Sequence, residues 1–276
     1  MKFEKHLEIN SSEKTAVDAL EETTELTRQT IKQAMNKGAT WLTRNKSTQR
    51  IRRADKSLKP GDELHFYFDQ NVLDERPEPA TLIADEELYS IWHKPCGILC
   101  QGSKWGDHCT INRWVEKNLE PQRPAFIVHR LDRAATGLII ISHQKKIAAY
   151  FSNLFQQREI EKKYQAIVEG EFPNALKLDT DIEGKPALSQ AKAIAYNSAT
   201  NLSLVDIAIE TGRKHQIRRH LSAAGFPIVG DRLYGQGNEQ TSDLCLTSYY
   251  LSFNAPTNDV KKSYLLPDNL QLKFLY

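Results

Sequence analysis

Asp132 stands between two arginines in the run His129-Arg130-Leu131-Asp132-Arg133-Ala134-Ala135-Thr136-Gly137-Leu138. Nearby guanidinium groups lower a carboxyl pKa and keep the group ionised. An ionised carboxylate held in place can act as a nucleophile or as a base. The same residues also describe a surface ion-pair cluster, so the run alone leaves both readings open. Two later segments mix aromatic and basic residues. Glu161-Lys162-Lys163-Tyr164-Gln165-Ala166-Ile167-Val168-Glu169-Gly170 contains Tyr164, and Thr211-Gly212-Arg213-Lys214-His215-Gln216-Ile217-Arg218-Arg219-His220-Leu221 contains Arg218. By themselves, Tyr164 reads as a half-buried strand aromatic and Arg218 as a helix-surface arginine.

Other chemistries fit less well. Cys96, Cys100 and Cys109 lie near His93 and His108, but none of the pairs has Cys-x-x-Cys spacing. Partly buried, reduced thiols are the expectation, with no metal site and no disulfide framework. His215 and His220 are five apart and miss the one-face spacing of a helical metal pair. A kinase catalytic loop has Asp directly after Arg, whereas Leu131 intervenes here, and no Asp-Phe-Gly or glycine-rich phosphate loop accompanies it.

The three segments occur in an order that resembles the RluA-type pseudouridine synthases. That family's central motif is His-Arg-Leu-Asp followed by Thr-Ser-Gly. Lys94-Pro95-Cys96-Gly97 fits the family's opening, and Gly225-Phe226-Pro227-Ile228-Val229-Gly230-Asp231 with Tyr234-Gly235 extends its third motif. The resemblance covers residues 83–276. It departs at Ala135 for the usual Thr and Thr136 for the usual Ser, which implies altered hydrogen bonding within the loop. The resemblance implies that Asp132 is the catalytic carboxylate. It implies that Tyr164 stacks on the target base and helps remove the C5 proton, that Arg218 holds Asp132, and that Arg130 enters the RNA where the uridine leaves the stack. The isomerisation breaks N1–C1′, turns the uracil and joins C5 to C1′. Composition does not change, so no cofactor is expected. The base must first be flipped out of stacked RNA, at a cost of a few kcal/mol. An aromatic platform and an inserted arginine offset part of that cost.

Several elements must position these residues. Glu87–Trp92, Phe126–His129, Gly137–Ser142, Tyr164–Glu169 and residues 191–196 and 202–209 read as strands. Gln144–Gln157 reads as an amphipathic helix, with Ile147, Tyr150, Phe151, Leu154 and Phe155 on one face. A further helix is expected from Lys214 to Ala224, stopped by Gly225 and Pro227. Strands and helices do not alternate regularly, so the class is α+β rather than doubly wound.

The N-terminal part reads differently. Residues 15–37 have helical periodicity, with Thr27 able to cap a second helix and Gly38 as a stop; Ala39–Leu42 and Leu64–Phe68 read as strands. Residues 26–60 carry ten Lys or Arg against one Asp, while the whole chain is only +2. Such a block favours a polyanion, although a solvated basic face is an even alternative. Residues 14–69 resemble the S4 RNA-binding domain through Leu26-Thr27-Arg28-Gln29, Gly38-Ala39-Thr40-Trp41-Leu42 and Leu58-Lys59-Pro60-Gly61-Asp62-Glu63-Leu64. Thr43-Arg44-Asn45-Lys46 replaces the family's frequent Asn-Gly turn. The implied RNA patch is Arg28, Lys32, Arg44, Lys46, Arg50, Arg52 and Arg53. Residues 70–82 read as a linker and 83–276 as the catalytic domain. No apolar run approaches the ~20 residues of a membrane span, and residues 1–10 lack the apolar core of a signal peptide. The expectation is a cytoplasmic, monomeric enzyme acting on structured RNA, with ribosomal preferred to transfer RNA. A non-catalytic RNA-binding protein on the same scaffold is the alternative.

Overall fold

The computed structural model describes residues 1–11, 14–76, 78–235 and 243–274. Pro77, inside the expected linker, lies outside the described residues. The chain forms two compact units: Met1–Pro77 with Gln101–Trp114, and Glu78–Cys100 with Val115–Tyr276.

The first unit contains β1 (Lys2–Glu8), α1 (Ala16–Thr23), α2 (Arg28–Asn36), β2 (Thr40–Arg44), β3 (Ser47–Arg50), β4 (Glu63–Asp69) and α3 (Gln70–Asp74). Its antiparallel sheet runs β1-β4-β2-β3. Thr15 opens α1 with a capping box closed by Asp18, and the Thr27 side chain accepts the Thr30 N–H at the start of α2. Leu42, Leu64, Phe66 and Phe68 from the sheet join Val17, Leu20, Ile31 and Met35 from the helices in one buried core. Asn45 and Lys46, both with positive φ (51° and 64°), turn β2 into β3. Asn tolerates that region better than most residues, which explains how the chain turns without Asn-Gly.

Three features differ from the sequence expectation. Residues 2–8, read as a polar terminus, form β1 and pair with β4 along their whole length; Lys5 stands between Phe3 and Leu7 on the half-buried side and interrupts the apolar alternation. The expected linker contains α3, capped by Asp69, and the beginning of the next strand. Finally, Gln101–Trp114 belongs to the first unit although it lies far along the chain. Asp107 anchors it, receiving Arg50 and Arg52 while its N–H donates to the Lys37 carbonyl at 3.0 Å. Trp41 adds an Nε1–H bond to the Lys104 carbonyl at 3.1 Å.

The second unit comprises β5 (Thr81–Asp85), β6 (Tyr89–Lys94), β7 (Phe126–Ile127), β8 (Thr136–Ser142), α5 (Lys145–Gln157), β9 (Glu161–Glu169), β10 (Ala175–Leu178), β11 (Ser189–Asn197), β12 (Leu202–Ile209), α6 (Gln216–Ala223), β13 (Leu246–Asn254) and β14 (Lys261–Leu265). α4 (Ile111–Asn118) carries the chain back into this unit. The mixed sheet runs β10-β11-β12-β9-β13-β8-β6-β5, with β14 on β13 and β7 on β8. Every pairing is antiparallel except β13 with β8. α5 covers one face, burying Ile147, Phe151 and Leu154 against Ile91, Leu138, Ile140 and Phe253. The α+β class read from the sequence is the class observed.

Candidate active site

The parallel junction of β8 and β13 sets the geometry of the site. Gly137 (φ +109°) sits so close to β13 that an added Cβ would lie 2.2 Å from the Ser248 carbonyl oxygen. Only glycine fits there, which explains Gly137 five residues after Asp132. Beside it, the Thr136 and Thr247 hydroxyls are 2.5 Å apart. The loop before β8 is pinned from several sides. The Lys94 ammonium, fully buried, donates to the carbonyls of Pro95 (3.0 Å), Ile98 (3.0 Å) and Arg133 (3.2 Å). Burial lowers its pKa to about 8. The Leu131 N–H donates to Cys100 Sγ at 3.3 Å. His129 accepts the Ile140 N–H on Nε2 at 2.9 Å. Burial drives the His129 imidazole to about 3, so it is a neutral acceptor that fixes the loop rather than a proton donor.

Asp132 therefore projects from a loop held by Lys94, Cys100 and His129. Its Oδ2 accepts a bond from Arg218 Nη1 at 3.2 Å. Arg218 lies on α6 and is bound more tightly elsewhere: Nε and Nη2 grip the two Asp231 oxygens at 2.8 and 2.7 Å. Asp231 also accepts the N–H groups of Leu233 and Tyr234. Burial opposes charge on both partners. Each offsets that penalty for the other, so Asp231 stays below the usual carboxylate range and Arg218 above its ordinary value. The Tyr234 ring lies 5.2 Å from the Arg218 guanidinium carbon. His215 Nε2 approaches Asp132 Oδ1 at 3.8 Å, and its Nδ1 lies 2.9 Å from the Tyr234 hydroxyl. Burial lowers the His215 pKa despite the neighbouring carboxylate.

The loop before α6 is fixed by Gln216. Its Oε1 accepts from the Thr211 hydroxyl (2.6 Å) and the Arg213 N–H (3.1 Å), and its Nε2 donates to the Leu188 carbonyl and Ser189 hydroxyl. These contacts give Thr211, Arg213 and Gln216 of the third sequence motif a structural reason.

A cleft of about 390 Å³ opens here, lined by Arg130, Asp132, Tyr164, His215 and Arg218 among others. The structure thus brings together all four residues expected at the centre. Tyr164 is buried, with its phenol pushed well up by desolvation and by the Asp132 charge. It is a protonated ring surface and hydroxyl donor, not a phenolate base at neutral pH. Arg130 is exposed and makes no ion pair among the described residues. Sequence reasoning missed Lys94, His215, Asp231 and Tyr234 as parts of the site. Their signal was present, since each lies in a quoted motif, but their contacts come from folding.

The proposed basic patch of the first unit divides. Arg28 pairs with Asp18 and Glu21, Arg44 chelates Asp62, and Arg50 and Arg52 converge on Asp107. Arg50 also lies over the Trp41 ring at 4.4 Å. Lys32, Lys46 and Arg53 are exposed and make no ion pair among the described residues. Four of the ten cations in residues 26–60 are therefore paired with acids from elsewhere in the same unit, and part of the local positive excess remains. No group of three or more His, Cys, Asp or Glu suited to a metal occurs among the described residues.

A family model described as RNA pseudouridylate synthase matches residues 88–223. An Aquifex aeolicus protein named as an uncharacterized RNA pseudouridine synthase is 26% identical over 267 residues, covering 84% of this chain and 83% of the relative. The tRNA pseudouridine synthase C of Vibrio vulnificus is 31% identical over 183 residues, covering 56% of this chain and 74% of the relative. Among solved structures, human RNA pseudouridylate synthase domain containing 1 superposes with a TM-score of 0.60 over 70% of this chain and 85% of that one, at 23% identity. With its ordered motifs, its α+β fold and these relatives, the chain belongs to the RNA pseudouridine synthases.

Proposed function

We propose that the chain isomerises specific uridines in structured RNA, with Asp132 as the reacting carboxylate. The observation that carries this reading is the Asp132–Arg218–Asp231 array at a cleft also lined by Tyr164 and Arg130. Asp231 holds Arg218 firmly, and Arg218 spends one remaining N–H on Asp132 Oδ2. Oδ1 makes no contact as short among the described residues, only that with His215 Nε2 at 3.8 Å, and is the oxygen that would meet either C1′ or the C2′ proton of a flipped nucleotide. Tyr164 supplies a stacking face for the uracil, and exposed Arg130 occupies the gap that the base leaves. The first unit, with its S4-like sequence, docks the substrate through Lys32, Lys46 and Arg53. A second docking unit suits a large folded RNA, which favours ribosomal over transfer RNA. One chain supplies the whole array, which supports a monomer, and the family's RNA substrates support a cytoplasmic location. No helix among the described residues is long and apolar enough to cross a membrane.

Pseudouridine mapping across total RNA from cells with and without the gene, with Asp132→Ala as the rescue control, tests this reading. A site lost with the gene, restored by wild type and not by the variant, establishes both activity and substrate. Equal rescue by both proteins would overturn the catalytic reading in favour of RNA binding alone.

A further inference from the structure

A second cleft of about 500 Å³ adjoins the first and shares Arg130, Tyr164 and Arg213 with it. Its charged lining is unusual: Arg130, Arg158, Lys162 and Arg213 against one acid, Glu210. Glu210 is engaged by Gln190 Nε2 at 3.3 Å. Lys162, Arg158 and Arg130 make no ion pair among the described residues. Lys162 is the informative one. It sits on β9, its ammonium 5.4 Å from the centre of the Phe155 ring, and burial lowers its pKa. The adjacent imidazole, His129, is neutral and offers no counter-charge. A half-buried ammonium without an anion is unfavourable unless a ligand supplies one.

Strand geometry says where that anion belongs. Side chains two apart on a strand share a face and are separated by ~6.6 Å along it. Lys162 therefore shares its face with Tyr164, while Lys163 between them points away, to Glu161 and over the Tyr250 ring. Arg158 reaches the same cleft because it ends α5 in the left-handed conformation, with φ 60°. The cations thus stand beside the proposed base platform at the reach of a neighbouring nucleotide's backbone.

Resting on the reading of this chain as an enzyme acting on RNA, we propose that the cleft at Lys162, Arg158 and Arg213 is a subsite for an RNA backbone phosphodiester next to the nucleotide at Asp132. Its ligand is an oxyanion of one flanking phosphate, received by Lys162 as a point charge and by the arginines through paired N–H groups. The subsite would fix the register of the strand on either side of the flipped base.

The test uses the full chain and two probes: a short oligouridylate, and the same oligomer with neutral methylphosphonate linkages. Wild type should bind the charged oligomer more tightly, with an affinity that falls steeply with salt. Lys162→Met should lose about tenfold in affinity for the charged oligomer and little for the neutral one. Its log–log salt slope should fall by about one. Lys162→Arg should restore most of the loss, and Lys163→Met should behave as wild type, which separates charge in the cleft from folding or general positive charge. If Lys162→Met keeps the wild-type slope and affinity, or Lys163→Met loses as much, the subsite is overturned while RNA binding stands. If wild type binds neither oligomer, the subsite falls together with the RNA-acting reading beneath it.

Discussion

Asp107 and Asp132 are both carboxylates among arginines, one in each unit, and they end in opposite states. At Asp107, Arg50 and Arg52 both reach Oδ2 at 2.5 Å, and the charge is consumed in tying residues 101–114 to the first unit. Burial would raise its pKa, yet the two guanidiniums hold it below the ordinary range. At Asp132 a single arginine arrives, at 3.2 Å, and that arginine gives its two shorter bonds to Asp231. The Asp132 side chain is 21% exposed and borders an open cleft. An acid beside arginine is thus structural when its cations have no better partner, and available when a third group has already claimed them.

The sharpest way to break this contrast is to remove each acid. Asp132→Ala should lower the isomerisation rate by roughly 10⁴-fold or more while leaving RNA affinity close to wild type, measured by single-turnover assay and by titration. Residual turnover near wild type would end the assignment. Asp231→Asn should act through Arg218: a loosened guanidinium misplaces Asp132, and kcat should fall by roughly 10²-fold with KM little changed. A change confined to KM would show that Asp231 serves substrate binding instead. Asp107→Ala should leave the chemical step intact and lower stability by about 2 kcal/mol, a buried-pair loss discounted for partial exposure. Thermal denaturation reads this directly, and an unchanged Tm would mean that the segment is held by its aromatic contacts alone.

Smaller effects sharpen the same distinction within the first unit. Arg53→Gln or Lys46→Gln should each reduce the salt slope of RNA binding by about one, whereas Arg44→Gln should mainly cost stability, because its charge is committed to Asp62. Equal slopes for all three would dissolve the division between free and paired cations. A last effect, absent at neutral pH, is on acid stability. His129 is neutral in the fold, with a pKa near 3, and protonates in the unfolded chain below about 6.5. The unfolded state therefore binds more protons between those values, and stability falls as pH drops through that window. His129→Gln should flatten the dependence; an unaltered profile would place the acid-sensitive group elsewhere.

Much of the catalytic unit was legible because its chemistry lies in contiguous motifs. Asp132, Tyr164, Arg218 and Arg130 could be named through the resemblance of their ordered motifs to a known family, not from residue type alone, and α5 from its apolar face. Their partners could not. Asp132 has arginines on both sides in sequence, yet the one that binds it comes from α6, 86 residues away. Lys94 is visible in sequence only as part of the opening Lys94-Pro95-Cys96-Gly97, and only folding brings three carbonyls to its ammonium. The basic segment was only partly legible for a related reason. A charge count along the chain cannot see Asp62 or Asp107 folding back onto Arg44, Arg50 and Arg52. β1 and β3 escaped notice because short, polar edge strands have little hydrophobic alternation to display.

Residues 101–114 give the two units an unexpected inheritance. The polypeptide passes from one unit to the other after residue 77, returns after residue 100, and crosses again after residue 114. The small unit is therefore not a bead that a recombination event or a pair of scissors can add or remove at one cut. A fragment starting at residue 78 would keep the loop that bears Asp107 and lose both arginines that satisfy it, leaving the severed half to misbehave in ways a modular view would misattribute to the chemistry. Removing the N-terminal part cleanly would therefore also mean rewriting residues 101–114, well inside the catalytic sequence.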